Sequence, residues 1–169
     1  MFYDAILQFQ KTLGNLDAIL AKAAAHAEER KFNVDNFCTA RLAPDMLPFT
    51  RQVTIACDVA KAAAGAYTGK EMPKFEDTES TVAQLRERIA KTLAVLAPLT
   101  EADFAATAAD TIVKIPFPPG KAMHARDALI TRALPNFFFH VAMAYAILRA
   151  GGVNIGKMDY LGQLNLFDQ

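Results

Sequence analysis

The sequence predicts an all-α protein, a four-helix bundle with one small β-hairpin between its third and fourth helices. Three observations carry that prediction. Apolar residues recur at alternating spacings of three and four through most of the chain, the period of a helix with one buried face. The recurrence breaks at prolines and glycines that suit helix ends. Only around Thr111 to Ile115 does the period fall to two, as a strand requires.

In the first segment Phe2, Ile6, Phe9, Leu13, Leu16, Leu20, Ala23 and Ala27 form an unbroken stripe on a helix of roughly seven turns. The loop KFNVDNFCTARLAPD follows. Pro44 and Pro48 suit a helix opening, where a missing N–H costs little, so the second helix is expected from about residue 44 to 68. Gly69 is its expected terminator. The third helix is expected over about residues 78–97, capped by Asp77 or Thr78 and buried along Val82, Leu85, Ile89, Leu93 and Leu96. Arg86, Arg88 and Lys91 are expected on its solvated side.

Pro98 ends that helix, and Thr100 with Asp103 suits the cap of one short extra turn. TIVKIPF then alternates around Thr111, Val113 and Ile115, PPGK makes a turn and KAMH returns, which predicts the hairpin. The fourth helix is expected over about residues 126–150, closed by Gly151 and Gly152, with Pro135 kinking or splitting it. Apolar residues surround it on nearly all sides, which suits a central helix or one buried against a second subunit. No repeat or linker divides the chain. One domain over residues 1–169 is expected, its tail from about residue 151 packing across the bundle.

The totals exclude some functions. Eighteen basic residues balance eighteen acidic ones with no block of like charge, which argues against nucleic-acid binding. Cys38 and Cys57 have neither redox nor disulfide-framework spacing and read as reduced thiols. The opening MFYDAILQFQK lacks the features of a signal peptide. The stretch from Phe137 to Leu148 is too short to span a bilayer and is interrupted by His140. A soluble cytoplasmic protein is the expectation.

Two segments, RLAPDMLPFTRQVTIACDVAK and LPNFFFHVAMAYAILRAGGVNIGK, carry a resemblance, and FYDAILQFQKTLGNLDAILAKAAAHAEER and PKFEDTEST fit it too. The chain is similar to a bacterial family of unassigned function within the DinB/YfiT-like superfamily of four-helix bundles, a superfamily associated with metalloenzymes. The resemblance implies a bundle that is commonly dimeric, with a cleft at one end. In many members three histidines line that cleft and hold a divalent metal, one from the second helix and an H-x-x-x-H pair from the fourth. Some members are thiol-dependent transferases or related enzymes.

This sequence departs from that pattern. The fourth-helix motif reads Asn136-Phe-Phe-Phe-His140, and the second helix contains no histidine. An amide oxygen is a poor ligand for zinc or nickel. His124 lies sixteen residues before His140, about 24 Å along a continuous helix, and His26 falls just off the apolar stripe of the first helix, on its expected exposed side. No metal or other cofactor is therefore expected, and His140 is the one residue suited to ligate if a divalent metal binds. Gln52 is a candidate replacement for the missing histidine. Asp45 and Gln52, seven apart, share a helical face. Arg41, Asp45, Asn136 and His140 together suit an anion or a polar small molecule. The competing reading makes Asp45 a helix cap, Arg41 its exposed neighbour and Asn136 a partner for backbone freed by Pro135.

Other motifs carry less. Cys57 sits among Ile55, Ala56 and Val59 without an adjacent base and reads as a small hydrophobe. GGVNIGK follows a helix rather than preceding one and is not a phosphate loop. Ser80 is the only serine and sits at a helix start, which excludes a serine triad.

Two functional readings remain. The favoured one is a binding or assembly module whose metal site has degenerated, homodimeric through the apolar fourth helix, with a small-ligand cleft. The alternative is a metal-dependent or thiol-dependent transferase or hydrolase that uses His140.

Overall fold

The longest apolar stripe produces the longest helix. In the computed structural model α1 spans Phe2–Glu29, and all eight stripe residues are buried. The structure describes residues 1–115 and 118–168. Pro116 and Phe117, from the expected hairpin, lie outside the described residues, as does Gln169.

After a short 3₁₀ segment, Val34–Thr39, the second long helix α2 spans Phe49–Thr68. It starts later than the sequence suggests. A helix begun at residue 44 would place Pro48 in its interior, with no N–H to donate and its ring against the preceding carbonyl. Instead Pro44 and Asp45 lie in a turn, and Pro48 is the N-cap with ψ 162°. Gly69 ends the helix at φ +69°, a conformation that favours glycine.

Helix α3 spans Val82–Leu96 and also starts late, because Thr81 and Gln84 form a reciprocal cap. The Thr81 hydroxyl accepts from the Gln84 N–H at 3.2 Å, and the Gln84 amide oxygen accepts from the Thr81 N–H at 3.2 Å. Asp77 is occupied elsewhere, by two arginines. The stripe shifts slightly, with Thr92 buried and Leu93 half-buried. Arg86 is exposed and grips Asp17 of α1 through two hydrogen bonds of 2.7 and 2.8 Å. Arg88, expected in solvent, is 1 % exposed.

Thr100 and Asp103 cap a 3₁₀ turn over Glu101–Phe104. Strands β1, Ile112–Lys114, and β2, Ala122–His124, form the antiparallel hairpin, with Val113 opposite Met123 and buried. A short helix α4, Ala125–Asp127, runs into a π-helical stretch, Ala128–Ala133, and then α5, Leu134–Ala150. The split falls where the sequence places it. Pro135 has no N–H for the carbonyl four residues back, and the chain widens instead, with the Leu134 N–H bonding to the Leu129 carbonyl.

The long helices pack in a ring: α1 against α3 and α5, and α2 against α3 and α5. The arrangement is a four-helix bundle in which α2 packs against both α3 and α5. At the end of α5 a Cβ on Gly151 would meet the Phe37 ring at 2.4 Å, so only glycine lets the 3₁₀ segment close against it. Val153 and Ile155 are buried beyond it. Helix α6, Lys157–Leu161, then lies on α1, where Asn15 donates to the Tyr160 carbonyl at 3.0 Å and Lys22 pairs with Asp159 at 2.5 Å. Past Gly162 the tail leaves the bundle, with Leu166 and Phe167 exposed. Among the described residues no helix is long and apolar enough to cross a membrane.

Candidate functional site

His140 faces α2 from nearly two turns into α5, and Gln52 faces α5 from the first turn of α2. Both are buried. His140 Nδ1 lies 2.7 Å from Gln52 Oε1, and Gln52 Nε2 donates to the Leu47 carbonyl at 3.0 Å. An amide oxygen only accepts, so His140 carries its proton on Nδ1 and leaves a lone pair on Nε2. Burial holds the imidazole below its ordinary pKa, and the positive charge of Arg51 pushes it the same way. The result is a neutral histidine with a fixed tautomer.

The other candidates from the sequence are placed apart from this pair. Arg41 is exposed and donates to the Met46 carbonyl within its own turn. Asp45 is exposed in that turn, because α2 does not extend back to it. Asn136 is half-buried on α5 and lines a separate cavity of about 330 Å³ between α2, the π-helical stretch and β1. Ile55, Val59, Ala63, Ala66, Val113 and Ile115 provide much of its apolar wall. Tyr67, Arg132, Lys114 and Asp58 add polar groups. Burial pushes the Tyr67 hydroxyl up to about 12, against an opposing pull from the positive charge of Arg132.

The remaining histidines stand elsewhere. His26 is half-buried rather than exposed, because Phe32 packs edge-on against its ring at 5.8 Å. His124 is exposed at the end of β2, with Nδ1 2.9 Å from the Asp110 carbonyl. Among the described residues no group of three or more His, Cys, Asp or Glu side chains is placed to hold a metal ion. Cys57 is fully buried, and burial pushes its thiol up to about 12, so it is protonated at neutral pH.

A second polar site went unread in the sequence. Arg88 donates to Asp58 at 2.7 Å, Glu79 at 2.9 Å and the Glu76 carbonyl at 3.1 Å, with Asp77 at 3.4 Å. Burial alone would lower the Arg88 pKa, but the bonds and charges of Asp58 and Glu79 outweigh it and raise it. Lys61, also buried, reaches Asp58 at 3.2 Å and the Pro73 carbonyl at 3.1 Å, and sits 3.6 Å over the Phe75 ring. Arg51 closes the cluster on Asp77. These contacts tie the connection between α2 and α3 onto the bundle. The signal was spacing: Arg88 falls three residues after Leu85 and four before Thr92, on the stripe itself.

Comparison with known proteins agrees with this architecture. The family model described as Domain of unknown function (DUF1993) matches residues 1–161. A crystal structure of a DinB family member protein from Shewanella denitrificans superposes with a TM-score of 0.93 at 44 % identity, covering 100 % of this chain and 96 % of that one. No curated protein matches. With the family model spanning nearly the whole chain and a DinB relative this similar over its full length, the chain belongs to the DUF1993 family of DinB-like proteins.

Proposed function

We propose that this protein is a binding and assembly module: a homodimer joined through the outer face of α5, with the metal position of the wider superfamily degenerate and a small-ligand cleft beside it. One observation carries the reading. His140 is committed to Gln52 by a 2.7 Å hydrogen bond, and Gln52 is committed in turn to the Leu47 carbonyl. An imidazole held this way locks α5 to the start of α2. The side chains the sequence offers beside His140 are amides, Gln52 from α2 and Asn136 four residues back on α5, a set that suits a transition metal poorly.

The outer face of α5 supports the dimer. From Ala133 to Leu148 the chain carries no formally charged residue apart from the neutral-held His140. Phe139 is 51 % exposed, and Phe138, Ala142, Met143 and Ala146 are half-buried along the same helix. Scattered surface hydrophobics are ordinary, but a continuous stripe is the mark of an interface.

The test pairs elemental analysis with sedimentation of the purified native protein. A metal-free dimer that Phe139→Lys converts to a folded monomer is the expected result. A stoichiometric transition metal lost on His140→Phe would overturn the degenerate site, and a wild-type monomer would overturn the interface. The enzymatic alternative draws on one observation, the lone pair left on His140 Nε2, which suits a general base. A pH-dependent reaction abolished in a folded His140→Phe protein would favour it.

A further inference from the structure

The cavity between α2, the π-helical stretch and β1 is distinct from the His140–Gln52 pair, and its chemistry is lopsided. Alanines and branched aliphatics make the wall, while the polar groups are mainly donors. Arg132 is half-buried and, among the described residues, makes no ion pair and no side-chain hydrogen bond. Tyr67 is 2 % exposed, yet its hydroxyl has no protein partner among the described residues, since only its backbone carbonyl is engaged, by Thr107. Asn136 brings an amide from α5 and Lys114 a second cation from β1. The facing acid, Asp58, is already held by Arg88 at 2.7 Å and Lys61 at 3.2 Å, so its charge is offset from behind.

A hydroxyl that lines a cavity without a protein partner is free to bond to a ligand there, and a half-buried guanidinium favours a planar anion. Arg132 and Tyr67 both line the cavity, and the Arg132 charge opposes the rise that burial causes at the Tyr67 hydroxyl. A volume of about 330 Å³ lies at the low end for small-molecule sites and admits a ligand of roughly ten heavy atoms.

We propose that this cavity binds a small amphipathic carboxylate, its apolar body against Val59, Ala63 and Ala66 and its carboxylate on Arg132, Tyr67 and Asn136. The proposal deepens the small-ligand cleft of the proposed function, and it is independent of the dimer and of His140. The hairpin is part of the site because β1 supplies Val113, Lys114 and Ile115 to its wall.

Calorimetric titration of the full chain with sodium octanoate and, separately, 1-octanol tests it. Octanoate is expected to bind at one site per chain and at least about tenfold more tightly than octanol, the difference expected of a charge-assisted contact. Arg132→Met should abolish that preference, and Tyr67→Phe should weaken octanoate several-fold without changing octanol. The second variant guards against misfolding of the first, since it deletes one oxygen atom. Equal affinity for octanoate and octanol, or full octanoate affinity in both variants, overturns the carboxylate assignment while leaving an apolar cleft. No binding of either compound at about 1 mM overturns the cleft itself.

Discussion

Helix α2 has two polar interiors, one on each side, and they are built in opposite ways. Toward α3 it meets a charged cluster in which Arg88 and Lys61 are buried among Asp58, Asp77 and Glu79. Toward α5 it meets a neutral pair, His140 and Gln52. The charged cluster ties down a long connection whose only large apolar residues are Met72 and Phe75, through Arg88 to Glu79 and the Glu76 carbonyl and Lys61 to the Pro73 carbonyl. Its bookkeeping is incomplete: among the described residues Arg88 Nε and Glu79 Oε2 are buried with no hydrogen-bond partner. The neutral pair is saturated where it touches protein and joins two helices that already pack closely. Buried charge here fastens a loop, and buried neutral polarity sets the registry of two helices.

The largest effect should come from breaking the charged side. Arg88→Met leaves Asp58 and Glu79 without their main partner and should cost about 3 kcal/mol, the lower part of the range for breaking a buried pair because Asp58 is 42 % exposed. Denaturant unfolding measures it. A cost below about 1 kcal/mol would mean that the connection is held by its other contacts and that the contrast drawn above is wrong.

On the neutral side Gln52→Leu should cost less, about 1–2 kcal/mol, by stranding the His140 Nδ1–H and the Leu47 carbonyl together. The same pair sets a pH dependence. His140 is held below its ordinary value of 6.5, so on acidification the unfolded chain takes up a proton that the folded chain refuses. This contribution is absent well above pH 6.5 and destabilises progressively below it. In His140→Phe that component of the slope should vanish. In Gln52→Glu its sign should reverse, because a carboxylate favours the imidazolium, adding stability at low pH that is lost as pH rises through the raised value. Stability measured across pH 5–8 separates the three proteins, and identical slopes would refute the neutral assignment.

What the sequence revealed follows the same division. Helical stripes depend on residues three and four apart, so α1, the hairpin and the split at Pro135 could be read locally. Gln52 and His140 stood out by residue type, and their meeting across 88 residues was beyond local pattern. Arg41 and Asp45 do not join them because Pro48 delays the start of α2. Arg88 was misplaced because a cation on an apolar stripe has two readings, and only the fold-back of residues 70–81 chooses between them. Tyr67 and Arg132 passed unnoticed for a similar reason. Alanines at helical spacing read as tight packing, whereas here they leave room for a cavity.

The smallest expected effect tests whether the two sides of α2 are independent. Arg51 touches both: its guanidinium bonds to Asp77 in the charged cluster, and its charge helps depress His140. The Arg51–Asp77 pair is about two-fifths exposed on each side, so Arg51→Gln should cost no more than about 0.5 kcal/mol. Its informative readout is the His140 titration followed by NMR. The His140 pKa should rise in the variant yet stay below 6.5, because burial, the larger cause, is untouched. An unchanged titration would mean that solvent screens Arg51 from the imidazole and that α2 insulates its two faces. A rise to the ordinary value would mean that burial contributes little, and that His140 is more open to water, and to a substrate, than its packing against Gln52 implies.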